Sequence, residues 1–182
     1  MLLPRRAAPW LCDAPFETPR SKFCLMKTLA ISLFALFTVS PVRLPAQDTN
    51  ARMEAGKTVY MTVCFACHQP TGMGLPNMFP PLAQSDWVNV AKPDRMIRMV
   101  LYGFTGPITL NGKPFNTPAP LMPPQGAALT DQQIADVLTF VRASFGNTAS
   151  AVSPDEVKAI REAEKARTAM WTEAELQKIP VQ

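Results

Sequence analysis

Two thiols and an imidazole lie within five consecutive residues, Cys64-Phe65-Ala66-Cys67-His68, and His68 is the only histidine among the 182 residues of the chain. The spacing of the two cysteines matches their sulfur atoms to the two vinyl groups of a haem, so that each thiol can add across one vinyl. The adjacent imidazole can then turn beneath the ring and bind the iron. The segment therefore predicts a covalently attached haem with His68 as the proximal ligand.

Three other interpretations of this segment compete with haem attachment. A thioredoxin-like dithiol would need a βαβ context and does not account for His68. A zinc site needs four ligands, and Cys64, Cys67 and His68 supply only three unless a carboxylate joins them. A chance match is the third alternative, although no other cysteine or histidine follows the segment. Haem attachment uses all three side chains and does not need a carboxylate to join them.

The first 46 residues have the pattern of a secretion signal. Lys22 and Lys27 precede an apolar run over residues 29–39, and a small residue, Ala46, follows it. The run has 11 residues, whereas about 20 are needed to span a bilayer, which disfavours the alternative of an uncleaved anchor. We therefore expect residues 1–46 to be a leader that is cleaved after Ala46 on export to the periplasm, leaving no membrane span.

The leader also holds half of the cysteines and the whole net charge. Met26 could start a signal by itself, so residues 1–25 are a candidate misassigned start. Residues 1–46 contain six basic and two acidic side chains of the 18 and 14 in the chain, and the remainder is formally neutral. Nucleic-acid binding through a basic patch therefore loses its support, because phosphate neutralisation needs clustered Lys and Arg.

Three helices are expected around a loop-rich centre. The first runs from about Arg52 into Cys64, with Gly56 allowing the close approach of another helix. A second, weaker helix covers residues 93–102 and is ended by Gly103. The last begins at the capping box of Thr130 and Gln133 and is ended by Gly146 and Asn147, which disfavour helix. Its apolar stripe consists of Ile134, Val137, Leu138 and Val141.

The centre, residues 70–126, has little periodicity of its own. It contains 11 of the 19 prolines and six of the eight glycines, but also scattered apolar side chains such as Phe79, Trp87 and Phe104. A disordered linker would not carry those side chains. A buried haem supplies the apolar volume that this stretch lacks.

At this point the chain resembles a class I cytochrome c, an all-α domain in which N- and C-terminal helices cross beside a haem. The resemblance covers about residues 51–147. It implies an all-α fold with a loop-rich centre wrapped on one covalent haem c. Together with the signal pattern, this divides the chain into a leader over 1–46, a haem domain over 47–147 and a helical C-terminal extension over 148–182. The residues that carry it are Gly56, Tyr60, Cys64, Cys67, His68, Pro80, Pro81, Leu82, and Met122-Pro123-Pro124 leading into the helix of Asp136 to Arg142.

Within that family the chain is most similar to bacterial periplasmic monohaem cytochromes that serve dehydrogenases or terminal oxidases. The run MPPQGAALTDQQIADVLTFVRASFGN carries this narrower likeness. It implies redox proteins as partners: a dehydrogenase or quinol-oxidising complex as donor and a terminal oxidase as acceptor. The neutral body offers no strong steering charge, so we expect a mainly apolar contact around an exposed haem edge.

The sixth iron ligand is expected to be a methionine, because His68 is already used. The sequence after the leader has eight methionines, of which those on predicted helices are more often core residues, and Met73 and Met78 follow His68 too closely to reach the other haem face easily. Met122 lies in a proline-stiffened loop before the last helix, where the family places its axial thioether. The resemblance therefore implies His68 and Met122 as the two metal ligands.

The resemblance implies further roles around the haem. Pro80 would offer its carbonyl oxygen to the Nδ1 proton of His68, and Pro81 and Leu82 would pack on the proximal side. Three side chains could donate a hydrogen bond to a haem propionate: Trp87, Tyr102 and Asn116. For each of the two aromatic residues, packing in the core is the alternative role.

Residues 148–182 extend past the usual end of the family fold. Ser153 begins a charged helix to about Thr168, and Thr172 begins a short one that Pro180 ends. A solvated tail, a segment that packs back on the haem domain, and a docking element are the three interpretations. Packing is suggested by apolar side chains along the extension, namely Ala159, Ala163, Ala166, Met170, Trp171, Leu176 and Ile179.

The function expected is one-electron transfer by a single haem cycling between Fe(II) and Fe(III), without substrate turnover by the protein itself. A peroxidase-like enzyme would need an open iron position and polar distal groups. A haem-based sensor would need a displaceable sixth ligand. Both remain alternatives that carbon monoxide binding would detect.

Overall fold

The computed structural model describes residues 46–115 and 121–182. The predicted leader up to residue 45, and Asn116, lie outside the described residues. No helix of the described part is long and apolar enough to cross a membrane.

The first helical segment runs from Ala46 to His68 in three parts. They are α1 (Ala46–Val59), a π-helical turn (Tyr60–Cys64) and α2 (Phe65–His68). The predicted helix is confirmed, but it begins six residues earlier than expected and continues four residues further. The π-helical turn was not predicted, because the apolar stripe has ordinary helical spacing. Such turns are rare and are often found at functional sites.

The helix α3 (Asp94–Tyr102) ends at Gly103, as predicted. Between it and the last helix of the haem domain, the described residues form four short strands in two antiparallel pairs. They are β1 (Phe104–Thr105) with β4 (Leu121–Met122), and β2 (Ile108–Leu110) with β3 (Lys113–Phe115). The all-α class is confirmed, with these strands as an addition that the prediction lacked.

Helix α4 (Asp131–Ala143) begins at the predicted capping box. The amide of Gln133 donates to Thr130 Oγ1 at 3.2 Å, and Gln133 Oε1 accepts from the amide of Thr130 at 3.0 Å. The helix ends three residues before Gly146, and Phe145 already has a positive φ of 59°. The predicted stop is therefore in the right region and slightly late.

Helices α1 and α4 cross at Gly56, as predicted. A Cβ on Gly56 would overlap the backbone carbonyl of Asp136 and lie 2.9 Å from Cβ of Phe140. Beside this contact the rings of Tyr60 and Phe140 lie 5.5 Å apart. Arg52 Nε donates to Asp136 Oδ1 at 2.7 Å across the same crossing. The missing side chain thus sets how closely the two helices approach.

The C-terminal extension packs against the haem domain, so the interpretation as a solvated tail is wrong. It contains α5 (Pro154–Ala163) and α6 (Glu173–Leu176). The first begins at Ser153 as predicted but ends well before Thr168. Arg161 Nε donates to Asp131 Oδ1 at 2.7 Å, and Arg98 Nε to Glu164 Oε1 at 2.8 Å, so ion pairs join α5 to the body.

The side chains that bury α5 differ from those predicted. Val157 and Ile160 lie in the main core, whereas Ala159 and Ala163 face solvent. Ala166 is also exposed, but the buried Trp171 and Leu176 agree with the expectation. Small alanines contribute little buried area, so the branched side chains determine which face of α5 packs.

Candidate haem site

A largely apolar cavity lies among α2, α3, α4 and the short strands. Its volume is about 1180 Å³, including the part open to solvent. Among the described residues, few polar side chains line it, including His68, Ser85 and Gln125. Most of the wall is contributed by Met96, Met99, Val100, Phe104, Ile108, Leu110, Val137, Leu138 and Val141. The sequence prediction did not include Ser85, Met99 or Phe104 as site residues.

The two thiols open into this cavity. Cys64 is the last residue of the π-helical turn, Cys67 lies on α2, and both are free and partly buried. Burial, with a smaller contribution from neighbouring Cys67, raises the pKa of Cys64 to about 11. The Cys64 sulfur therefore retains its proton at neutral pH. Two free thiols and an imidazole lining an apolar cavity fit a haem held by thioether bonds.

His68 has one ring nitrogen already in use. Its Nδ1 lies 2.9 Å from the carbonyl oxygen of Pro80, and because a carbonyl can only accept, Nδ1 carries the proton. Burial lowers the pKa of His68, while the hydrogen bond to Pro80 acts in the opposite direction. Because its pKa is lowered, the ring is neutral at neutral pH, and Nε2 carries the free lone pair. This is the form of histidine that binds a metal.

The loop that follows His68 brings Pro80 back to it. The amide of Gly74 donates to the carbonyl oxygen of His68 at 3.0 Å, and the amide of Leu82 donates to Gly72 at 2.7 Å. Gly74 has a φ of 62°, and a Cβ there would overlap the carbonyl oxygen of Phe79 and lie 2.7 Å from that of Pro80. A glycine is therefore required where the loop folds over itself.

The other two predicted proximal residues differ from each other. Leu82 lines the cavity, whereas Pro81 is partly buried and is not part of the cavity wall. Asn147 holds this segment, because its Nδ2 donates to the carbonyl oxygens of Leu82 at 3.0 Å and of Val141 at 2.9 Å. Sequence reasoning treated Asn147 only as a helix stop. Its polar side chain beside an apolar helix end was the available signal.

Four methionines line the cavity: Met78, Met96, Met99 and Met122. Met122 lies on β4, where it pairs with Phe104 of β1. Met96 is buried, and Arg142 Nη1 lies 4.0 Å from its sulfur. Met78 is 56% exposed. The geometry thus reduces the eight candidates to four.

The aromatic side chains suggested for a haem propionate have other partners. Trp87 Nε1 donates to the carbonyl oxygen of Thr109 at 2.8 Å. The hydroxyl of Tyr102 donates to the backbone carbonyl oxygen of Arg161 at 3.1 Å. Each group has a single proton to donate. The suggestion is therefore wrong for Trp87 and Tyr102, whose hydrogen bonds hold the hairpin and the extension instead.

The zinc interpretation finds no support in the described part of the chain. Residues 46–115 and 121–182 contain no group of three or more His, Cys, Asp or Glu side chains arranged to hold a metal ion.

Comparison with known proteins gives a consistent result. The family model described as Cytochrome c matches residues 53–144. The chain is 38% identical over 113 residues to the gluconate 2-dehydrogenase cytochrome c subunit of Pantoea cypripedii, covering 61% of this chain and 25% of that protein. It is 36% identical over 100 residues to the cytochrome c subunit of a quinone alcohol dehydrogenase of Gluconacetobacter polyoxogenes, covering 55% and 20%.

A shorter relative is cytochrome c-552 of Thermus thermophilus, which is 32% identical over 106 residues, or 54% of this chain and 78% of that protein. The chain spans only a fifth to a quarter of the length of the two dehydrogenase subunits. The likeness to them is therefore a likeness to part of a longer subunit.

Proposed function

This chain belongs to the cytochrome c family, and we propose that it is a periplasmic one-electron carrier whose haem is attached through Cys64 and Cys67. In this proposal His68 and Met122 are the axial ligands, and the chain turns over no substrate itself. The observation that carries it is the shared cavity, whose wall includes both cysteines, His68 and Met122. The covalent haem c of the family is an iron group that supplies a one-electron couple whose potential a methionine ligand raises.

On the histidine side, His68 would hold the iron through Nε2, because Nδ1 carries the proton. The Pro80 carbonyl oxygen holds the Nδ1 proton of His68 and so increases the electron donation of the ring. Leu82, whose carbonyl oxygen accepts from Asn147, is part of the same cavity wall as His68. His68 itself is 9% exposed.

On the methionine side, Met122 is favoured over the other three by how each thioether is held. Met96 has the Arg142 guanidinium next to its sulfur, and Met78 is largely exposed. Met99 lies on α3, where a methionine ordinarily fills a core. Met122 is fixed by strand pairing and followed by two prolines, which limits movement of the ligand when the iron changes charge.

Electron exchange is assigned to the open side of the cavity. Met78 and Leu121 line the cavity and are 56% and 57% exposed, so they mark its mouth. With a formally neutral body, an apolar contact is the favoured way for a partner to approach. The likeness to cytochrome c subunits of dehydrogenases supports a dehydrogenase as donor. A quinol-oxidising complex is the alternative donor, and a terminal oxidase is the proposed acceptor.

The decisive experiment is visible spectroscopy of the haem-loaded protein and of four single variants. Met122→Ala should abolish the far-red band of Met-ligated ferric haem and let carbon monoxide bind the reduced form. The matched controls Met78→Ala, Met96→Ala and Met99→Ala should keep the band. Retention of the band in Met122→Ala would reject the ligand assignment. A wild-type haem that binds carbon monoxide readily would instead favour catalysis or sensing over electron transfer.

The docking surface has its own test. Leu121→Lys should leave the spectrum unchanged and slow electron transfer from a quinone-dependent dehydrogenase by about tenfold, because it places a charge in an apolar contact. Lys178→Leu, in the extension and absent from the cavity wall, is the control. An unchanged rate in Leu121→Lys would move the contact elsewhere.

A further inference from the structure

We propose that Trp171, in the C-terminal extension, is a positioning residue for Met122. It acts through Phe104, which lies between the two. The proposal rests on the proposed function, because it takes Met122 as the sixth ligand, and it adds a role for the extension in keeping that ligand in place.

Backbone contacts place three segments side by side with β1 in the middle. On one edge Phe104 pairs with Met122 in the antiparallel register of β1 and β4. On the other edge Phe104 forms a parallel bridge with Trp171. The amide of Thr105 donates to the carbonyl oxygen of Trp171 at 2.8 Å, and the amide of Trp171 donates to that of Gly103 at 3.0 Å.

This arrangement matters because β4 has only two residues. A strand that short has few hydrogen bonds of its own, so its position depends on the strand it pairs with. The extension satisfies the other edge of β1 and prevents that edge from fraying. The position of Met122 is therefore linked, through β1, to residues about 50 positions later in the chain.

Side-chain packing follows the same path. Phe104 is 3% exposed, lines the cavity, and shares a buried cluster with Trp171 and Leu176 of the extension. Met122 packs against this cluster. Removing the indole would leave a void beside Phe104, and protein interiors relax only partly around such a void. Movement of Phe104 into it would loosen both the cavity wall and β4.

The indole is itself fixed by its neighbours in the extension. The guanidinium of Arg167 lies 3.6 Å from the centroid of the Trp171 ring. Arg167 Nη2 donates to both carboxylate oxygens of Glu175 at 3.0 Å, and Glu175 Oε2 accepts from the amide of Thr172 at 2.9 Å. Trp171 is thus presented to Phe104 in one orientation.

The indole N–H is not the reason for a tryptophan here. Trp171 Nε1 is buried and has no hydrogen-bond partner among the described residues. The contribution of Trp171 to its neighbours is therefore the area of an aromatic ring. A phenylalanine, which has a ring and no orphaned donor, should replace it.

The test uses the full haem-loaded chain in four variants: Trp171→Ala, Trp171→Phe, Ile160→Ala and Met122→Ala. Ile160 is a buried extension residue in the main core, so its removal destabilises the extension without touching β1. Three properties are measured: the far-red ferric band, the rate at which carbon monoxide binds the reduced form, and hydrogen exchange of the peptide containing residues 121–122.

Trp171→Ala should weaken the band and accelerate both carbon monoxide binding and hydrogen exchange by at least tenfold. Trp171→Phe should stay within twofold of the wild type. Ile160→Ala should lower the thermal midpoint while its band, binding rate and exchange also stay within twofold. The same pattern would not arise if Trp171 only stabilised the extension.

Two results would overturn the proposal in distinguishable ways. If Met122→Ala loses the band while Trp171→Ala keeps all three properties within twofold, the ligand assignment stands and the positioning role is wrong. If Met122→Ala keeps the band, the ligand assignment fails, and the positioning role fails with it. Should Trp171→Ala not fold, Trp171→Leu takes its place. Acceleration of at least tenfold is then expected, and a change within twofold would overturn the positioning role.

Discussion

The hydroxyl of Tyr60 donates a 2.7 Å hydrogen bond to the carbonyl oxygen of Gln69, the residue directly after His68. Gln69 has a φ of 62° and is the point where the chain leaves α2. The ring of Tyr60 is fully buried between Phe140 and Phe145, at centroid distances of 5.5 and 5.2 Å. One side chain thus links the crossing of α1 and α4 to the turn after the histidine.

Tyr60→Phe should therefore lower the free energy of unfolding by about 0.5–1.5 kcal/mol, the usual net contribution of one hydrogen bond. The ring packing is kept, and the Gln69 carbonyl oxygen still accepts from the amide of Gly72. Urea unfolding of the haem-loaded protein measures the change. A loss above about 3 kcal/mol would show that the hydroxyl does more than hold the turn.

The buried hydroxyl of Tyr60 also makes the stability of the folded protein depend on alkaline pH. Burial, with a smaller contribution from Cys64, raises the pKa of Tyr60 from 10.0 to about 12. The unfolded chain releases this proton near pH 10 and the folded chain near pH 12, so the contribution is complete below pH 10 and is lost as pH rises towards 12. The stability advantage of the wild type over Tyr60→Phe should shrink between pH 9 and 11.5. An advantage that stays constant over this range would contradict the assignment.

The helix crossing makes Gly56 intolerant of any side chain. Gly56→Ala should cost about 1–3 kcal/mol or more, because the new methyl group overlaps the Asp136 backbone and α1 must move away from α4. Lys57→Ala, at an exposed neighbouring position of the same helix, should change stability by less than about 0.5 kcal/mol. Thermal unfolding of both variants tests the difference, and equal midpoints would exclude a tight crossing.

Arg142 is a fully buried cation that donates to backbone carbonyl groups. Its guanidinium donates to the carbonyl oxygens of Val88 at 2.8 Å, Val90 at 2.9 Å and Ser150 at 2.7 Å, and burial lowers its pKa. Arg142→Met would leave these acceptors unpaired, at about 1–3 kcal/mol for each buried group. We expect a loss of at least about 3 kcal/mol in urea unfolding.

A control for Arg142 lies on the surface of α5. Lys158→Met removes a positive charge at an exposed position and should change stability by less than about 0.5 kcal/mol. Arg142→Lys should also lose stability, because one ammonium group cannot reach carbonyl groups on two separate loops as a planar guanidinium does. Full stability in Arg142→Lys would mean that charge alone suffices.

The hydrogen-bonded carboxylate of Glu175 makes the stability of the folded protein depend on acidic pH. Its hydrogen bonds with Arg167, followed by those with Thr172, lower the pKa of Glu175. Its contribution is therefore present above the unfolded value of about 4.3 and is lost as pH falls through the lower folded value. The stability difference between the wild type and Glu175→Gln should narrow from pH 6 to pH 3. A difference independent of pH would show that the ion pair contributes nothing.

Several features of this protein were predictable because their signals are local. The spacing of Cys64, Cys67 and His68 alone predicted a covalent haem c, and the match to the cytochrome c family agrees with it. Capping boxes involve residues three positions apart, so the starts of α4 and α5 were predicted at Thr130 and Ser153. The hairpin of β2 and β3 had a comparable signal in Asn111-Gly112, which prediction did not use.

Other features depend on residues far apart in the chain. The burial of Val157 and Ile160, rather than the alanines beside them, is decided by the α3 and α4 surfaces that α5 meets. The unpredicted pairing of β1 with β4, and of β1 with Trp171, joins segments that are individually too short to show a strand pattern.

The sequence by itself determined the cofactor class, a covalent haem c, and where α4 and α5 begin. Residue spacing within a few positions and capping boxes are properties of neighbours along the chain. The tertiary structure alone decided which four of the eight methionines line the cavity. It also decided that Asn147 donates to the carbonyl oxygen of Leu82, and that the extension forms backbone hydrogen bonds with β1. These contacts form only when distant segments are brought together. Their energy comes from shape and buried area, which the order of residues does not display.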